Sequence, residues 1–497
     1  MQSLDSYLNV KFDSLRSQWE EGLLRELKIS EVGHRDSKRL LAGFNWPVLS
    51  LDRATEISLT PERVWKKAAV TYTMMPKDLK SALQEDLAAG VKNFFFHNNY
   101  LRSDSWNIIE GVLGLDPETE VFIPEGSMRS NEISLVTNLI SGKEFHDLGG
   151  NTPQELGLLA SKLVNFSDDS TEVYLGVFVD SLFFQNIAKI RSARLLAQRI
   201  FEHKNISKKI IVVAQTSFQG WSLYERYSNM LRNMTALASS YIGGADVAQS
   251  AGYQSLLELE VQDLIEDEHF SRSRRMARNS CHVLALESML GVVHDASYGS
   301  YHLENLTQKF CHEAWMIMQE ILRGDNLTSE VLSVRDQRLK HLKTRKTIMS
   351  GINDYPDAKE YLGVTLKEVH YFRQARSFEE LRLRMEKMKK PSVYIAVFGD
   401  YASLNARLNF ARNYFELLGL NVTDSGVNGP DLNREYDIFV LCAADETYSG
   451  LNHLMVSAKY KYIAGKIELP GFKNIFSGQD VFEVLKELMN DLSGDLL

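Results

Sequence analysis

Gln215, Thr216 and Ser217 close the apolar run KIIVVA, so amide and hydroxyl groups fall at the C-terminal end of an expected strand. Parallel α/β folds keep their chemistry at that edge. A second candidate lies in SVYIAVFGDYASLNARLNFARNYFELLGLNV, Ser392 to Val422, which reads as a buried strand, a tight loop and an amphipathic helix. Asp400 stands in that loop, with Ala402 and Asn405 after it; by residue type alone, Asp400 is a helix cap. His146 falls near an expected strand end and His453 on an expected helix, while His282, His294 and His302 fall on helix, strand and loop. No His-x-x-x-His pair and no carboxylate cluster offers a metal cage, and no bound metal is expected. Cys281, Cys311 and Cys442 are far apart and without metal-ligand spacing. They read as small buried hydrophobes in a reducing cytosol, so a cytoplasmic location is expected.

The elements that must position these residues follow from periodicity. Between about 60 and 355, short apolar runs alternate with longer amphipathic ones. Strands are expected at Val91–His97, Glu120–Pro124, Glu144–Leu148, Glu172–Val179, Lys209–Gln215, Ala245–Gln249, Leu290–His294 and Thr347–Ile352. Helices fall between them, for example Pro153–Asn165, Phe184–Glu202 and Ser228–Tyr241. Eight such strands over roughly 300 residues match a (β/α)8 TIM barrel, with an open doubly wound sheet as the rival. Gly243 and Gly244 permit a tight helix-to-strand turn with positive φ. Residues 356–391 read as a charged helical linker ending in RLRMEKMKKP. From 392 to 497, strands at Val393–Phe398, Asn421–Asp424, Ile438–Ala443, Tyr462–Ala464 and Asn474–Phe476 alternate with helices, which predicts a flavodoxin-like domain. Residues 1–59 form an arm and extension whose first 30 or so residues are an amphipathic helix. Leu4, Leu8, Phe12, Leu15, Trp19, Leu23 and Leu27 make its apolar stripe, suited to covering this chain or a partner.

The 497 residues, 44% hydrophobic and 24% charged, suit a soluble chain of more than one domain. A net charge of -9 without a basic half speaks against nucleic acid as a partner. The N-terminus lacks the pattern of a secretory signal, and no apolar run is long enough to span a bilayer.

Four stretches together resemble the methylmalonyl-CoA mutase family. They are KIRSARLLAQRI (Lys189–Ile200); QTSFQGWSLYERYSNMLRNMTALASSYIGGAD (Gln215–Asp246); ARNSCHVLALESMLGVVHDASYGSYHLENLT (Ala277–Thr307), with Ala314–Trp315 after it; and TRKTIMSGINDYP (Thr344–Pro356), with FRQARSFEELR (Phe372–Arg382) after it. The resemblance implies an acyl-CoA threaded through a barrel and adenosylcobalamin held by the C-terminal domain, whose cobalt–carbon homolysis starts a radical carbon-skeleton rearrangement. It makes Gln215, Thr216 and Ser217 remnants of the acyl-CoA pocket.

The chain departs from that pattern at the chemistry. Where the family's cofactor loop carries Asp-x-His-x-x-Gly, this sequence has Asp400, then Ala402 in the position of the cobalt-ligating histidine and Asn405 in that of the glycine. Val213 stands where catalytic members have a histidine on the thioester, and a valine donates no hydrogen bond. The Asp-Pro-Ala-Gly-Gly-Ser element is altered to Asp295–Ser300, the Ser-x-Leu element is replaced by LCAADE (Leu441–Glu446), and a later Gly-Gly pair is reduced to Ala464–Gly465. The expectation is a non-catalytic small subunit that binds no cofactor itself and packs on a large catalytic subunit carrying adenosylcobalamin and acyl-CoA. The alternatives are a divergent acyl-CoA mutase that binds cobalamin without a histidine, and an acyl-CoA-sensing module.

Overall fold

The computed structural model describes strands at 37–39, 45–47 and 67–72, residues 78–96, 103–116, 118–123 and 134–136, and residues 139–494 with interruptions at 168–169, 265–267, 291–292, 294 and 452. The expected N-terminal amphipathic helix and most of the expected strand Leu290–His294 lie outside the described residues. A short antiparallel pair joins 37–39 to 45–47.

Two all-parallel sheets organise the rest. The first contains β1 (Lys67–Tyr72), β2 (Asn93–Phe96), β3 (Glu120–Phe122), β4 (Ser134–Val136), β5 (Leu139–Ser141), β6 (Glu172–Val179), β7 (Lys209–Thr216) and β8 (Val247–Ser250). Their order is β4-β3-β2-β1-β8-β7-β6-β5, so chain order runs around the sheet and its two ends, β4 and β5, are separated only by residues 137 and 138. The second contains β9 (Val393–Phe398), β10 (Val422–Asp424), β11 (Glu435–Ala443), β12 (Ser457–Ala464) and β13 (Lys473–Ile475), in the order β10-β9-β11-β12-β13.

Strand alternation sorts the side chains of the first sheet onto two faces. On β6, Val173, Leu175, Val177 and Val179 pack outward against helices α4 (Thr152–Val164), α5 (Phe183–Lys204) and α9 (Tyr301–Arg323). On β7, Val212 and Ala214 do the same. The alternate residues meet on the other face in one cluster: Phe95, Phe122, Val136, Ile211, Val213 and Val247, with Leu139 and Tyr174 against it. Seven strands contribute to it. Both faces being buried explains why these strands are continuously apolar.

Three expectations from periodicity fail for local reasons. Glu144–Leu148 is not a strand but the short helix α3 (Lys143–Asp147), the strand being Leu139–Ser141 just before it. An i,i+4 pair, Lys143 Nζ to Asp147 Oδ2 at 2.9 Å, favours the helical turn. Thr347–Ile352 forms turns, because Asn353 supplies the hydrogen bonds a ladder would have made: its Oδ1 accepts from Met349 N, and its Nδ2 donates to the carbonyls of Leu342 and Thr347. In 356–390 only Arg376–Glu386 (α11) is an α-helix. Pro356 and Gly363 (φ +61°) interrupt the stretch before it, and the side chains of Arg382 and Arg376 donate to the carbonyls of Asp357, Glu360 and Lys367. Of the two glycines expected at positive φ, Gly244 has φ +84° and Gly243 is right-handed.

The two sheets are joined through a shared core. Tyr224, Leu342, Met349 and Ile352 belong to the same buried cluster as Val393, Ile395, Leu404 and Tyr414. Tyr224 donates to Glu386 Oε1 at 2.9 Å while the Arg382 guanidinium lies 4.1 Å from its ring centre.

Candidate functional site

Ser217, at the C-terminal end of β7, is brought against His146 from α3, a residue 71 positions earlier. Ser217 Oγ is 2.9 Å from His146 Nε2, and His146 Nδ1 is 3.2 Å from Asp147 Oδ1. The imidazole stacks on Phe178 at 3.9 Å between ring centres. Burial pushes the Asp147 carboxyl up, but the bond to His146 and the nearby Lys143 charge outweigh it and hold the group below the ordinary aspartate range. The connectivity is that of a serine nucleophile, base and orienting acid. Its surroundings decide against such chemistry. Ser217 is 3% exposed, and the cavity it borders, shared with Phe178, Asn186, Lys189 and Arg338, measures about 20 Å3. That is room for one water and none for an acyl group.

The other two members of the triplet are tied down as well. Thr216 N donates to Gln249 Oε1 at 3.1 Å, and Thr216 Oγ1 donates to the Gln249 carbonyl at 3.0 Å. Gln215 Nε2 lies where a Cβ on Gly176 would fall, so that glycine makes space for the amide. Val213 is fully buried in the inner cluster, where Phe95 and Phe122 stack at 4.5 Å and Tyr174 meets Phe122 edge-on at 6.0 Å. The inner face at this level is packed with apolar side chains.

The charged residues of the sequence motifs serve as internal braces. Lys189 Nζ meets Glu155 Oε2 at 2.9 Å and the Phe178 carbonyl at 2.7 Å. Arg191, with a fully buried side chain, bonds Glu304 at 2.6 Å and Asp295 at 3.0 Å. Arg194 bonds Asp246 at 2.6 Å, and the same carboxylate oxygen accepts from Val212 N at 2.7 Å, which locks helix α5 to β7 and to the Gly-Gly-Ala-Asp turn. Arg373 pairs with both Glu260 and Glu379, all three side chains at 0% exposure. Sequence reading did not single out Glu155, Glu260 or Arg338. Only their partners across the fold give them meaning, and local spacing carries no signal of that.

In the second sheet Asp400 caps helix α12 (Tyr401–Glu416), its Oδ2 accepting from Ser403 N at 2.9 Å. Asp400, Ala402 and Asn405 are all exposed, and Asn405 Oδ1 accepts from Asn409 on the next turn at 3.3 Å. Among the described residues no group of three His, Cys, Asp or Glu side chains is placed to hold a metal ion. A ligand crevice in a sheet of this strand order lies at the C-terminal ends of β9 and β11, the first two strands to diverge to opposite edges. Arg407 of α12 reaches across it to the Ala443 carbonyl at 2.5 Å and Asp445 Oδ1 at 2.7 Å. Tyr448 of the short helix α13 (Asp445–Tyr448) is fully buried beside it. These residues do not fit a corrinoid: among the described residues no group of three or more His, Cys, Asp or Glu side chains is placed to ligate a metal ion, Ala402 offers no ligand, and Arg407 and Tyr448 occupy the strand ends beside the loop.

No helix among the described residues is long and apolar enough to cross a membrane. The sequence model described as methylmalonyl-CoA mutase matches residues 139–396. The methylmalonyl-CoA mutase small subunit of Porphyromonas gingivalis is 28% identical over 378 residues, covering 66% of this chain and 59% of its own length. Those of Streptomyces virginiae and Propionibacterium freudenreichii subsp. shermanii are 26% and 27% identical, covering 70% and 48% of this chain and 62% and 39% of themselves. The chain thus spans about six-tenths or less of the length of these relatives. The match over more than half of its residues, carried by motifs that brace the first sheet, makes this chain a member of the methylmalonyl-CoA mutase family, similar to the members named small subunits.

Proposed function

We propose that the chain is the non-catalytic small subunit of an adenosylcobalamin-dependent methylmalonyl-CoA mutase, packing on a large catalytic subunit that interconverts methylmalonyl-CoA and succinyl-CoA. In this reading the first sheet is a closed (β/α)8-type barrel and the second a degenerate cobalamin-binding domain of flavodoxin type. The sequential strand order, and the adjacency of β4 and β5 at its two ends, support the first. The 2-1-3-4-5 order supports the second.

The observation that carries the proposal is the pair of fillings: apolar rings on the inner face around Val213, and Arg407 with Tyr448 at the C-terminal strand ends of the second sheet. Charged braces are kept, while groups able to touch a thioester or a cobalt ion are absent from the matching positions. Adenosylcobalamin, bound in the partner, would supply the radical. This chain's residues would supply a rigid two-domain surface.

Co-expression with a longer mutase chain carrying an intact Asp-x-His-x-x-Gly loop tests this. The expected result is a stable pair that retains adenosylcobalamin and turns over, with the isolated chain leaving the cobalt absorption bands unchanged at micromolar protein. Cobalamin uptake with isomerase turnover by the isolated chain would overturn it.

A further inference from the structure

The C-terminal strand ends of the second sheet are closed by this chain's own side chains in a specific way. The Tyr448 hydroxyl accepts from Ala443 N at 2.9 Å and donates to the Ala464 carbonyl at 2.8 Å. The paired residues of β11 and β12 extend to Leu441 and Ile463, so the phenol joins the two strands just beyond the end of their ladder. Arg407 lies over the ring, 5.8 Å from its centre, and is clamped by Asp445 on the solvent side. Gly465 forms the far wall: a Cβ there would stand 3.4 Å from Tyr448 Cε2 and 3.6 Å from Arg407 Nη1. Three segments of chain thus converge on one aromatic ring.

We propose that Tyr448 is a built-in occupant of the space between the C-terminal ends of β11 and β12, beside the altered LCAADE and Ala464–Gly465 elements, and that Arg407 with Asp445 is its seal. This rests on the reading that the chain holds no corrinoid, and deepens it: the site is filled, not merely stripped of its metal ligand. The chemistry of the vacated space follows. Without the Tyr448 side chain, this space accepts a small phenol, a flat ring whose hydroxyl meets one backbone donor, Ala443 N–H, and one backbone acceptor, Ala464 C=O.

The test uses the full chain and 4-methylphenol, the Tyr side chain as a free molecule. In Tyr448→Ala, the thermal midpoint is expected to rise with millimolar 4-methylphenol and to respond less to toluene, which lacks the hydroxyl; the unsubstituted chain responds to neither. A folded Tyr448→Ala that gains nothing from 4-methylphenol, or gains no more than the unsubstituted chain, overturns the proposal. Should Tyr448→Ala fail to fold, Arg407→Ala decides: with the seal gone, nitration of Tyr448 by tetranitromethane, located by peptide mass, is expected several-fold faster than in the unsubstituted chain. Unchanged protection overturns the seal. A parallel titration of the unsubstituted chain with adenosylcobalamin separates the two readings. Uptake there sinks the non-catalytic assignment, whereas a silent titration with a failed phenol or nitration arm sinks only the plug.

Discussion

The inner face of the first sheet and the C-terminal strand ends of the second are both filled by this chain's own side chains, by different physics. The first is packed with Phe95, Phe122, Tyr174 and Val213, side chains contributed by separate strands. Such a filling is held by area buried, and each ring adds to the stability of the sheet around it. The second is held by directed bonds from two side chains on neighbouring segments, Arg407 and Tyr448. An apolar filling spread over many strands cannot be undone by one substitution without damaging the fold. A filling that depends on one phenol and one guanidinium is addressed by a single substitution at either.

That contrast predicts unequal responses. The largest loss is expected for Phe122→Ala, whose fully buried ring stacks on Phe95. Urea unfolding should show a cost of about 3–5 kcal/mol, with no acyl-CoA binding gained. Val213→His comes next. It buries an imidazole among apolar rings, at a cost of about 1–3 kcal/mol and with no isomerase activity in the isolated chain. Turnover by that variant would show the inner face to be an active site lacking one group, and the comparison would fail. Asp400→Ala removes a cap at an exposed helix start and should cost about 1 kcal/mol by the same measurement, leaving the crevice closed.

The smallest effect concerns pH. Burial lowers the pKa of His302, and burial with the neighbouring Arg278 lowers that of His282. The unfolded chain therefore takes up protons that the folded chain refuses, so stability is full above the ordinary histidine pKa and declines as pH falls below it. Thermal midpoints from pH 7.5 to 5 should fall on the acid side, and the slope should flatten in His302→Gln. A flat profile in the unsubstituted chain would contradict the burial of these rings.

Much of this was legible from residue patterns. β6 and β9 begin and end where alternation and apolar runs place them, at Glu172–Val179 and Val393–Phe398. The Asp400 cap follows from residue type and position. The failures share one cause. At Glu144–Leu148, Thr347–Ile352 and 356–375, side-chain bonds such as Lys143–Asp147, those of Asn353 and those of Arg382 override weak local apolar periodicity. Ser217 was legible as a polar residue at a strand end, but its meeting with His146 was not, since 71 residues separate them. Likewise nothing in the sequence Asp445–Tyr448 announces that its tyrosine turns inward and bridges two strands.

By itself, the sequence determined the family, the residue types at Ala402 and Val213, and most strands, because these depend on residue identity and short-range periodicity. Only the tertiary structure decided what surrounds these positions. Filling a cavity depends on which side chains from distant strands arrive at one point, and on whether each buried polar group finds a partner there. Val213 among its rings and Tyr448 between Ala443 and Ala464 are settled by that convergence.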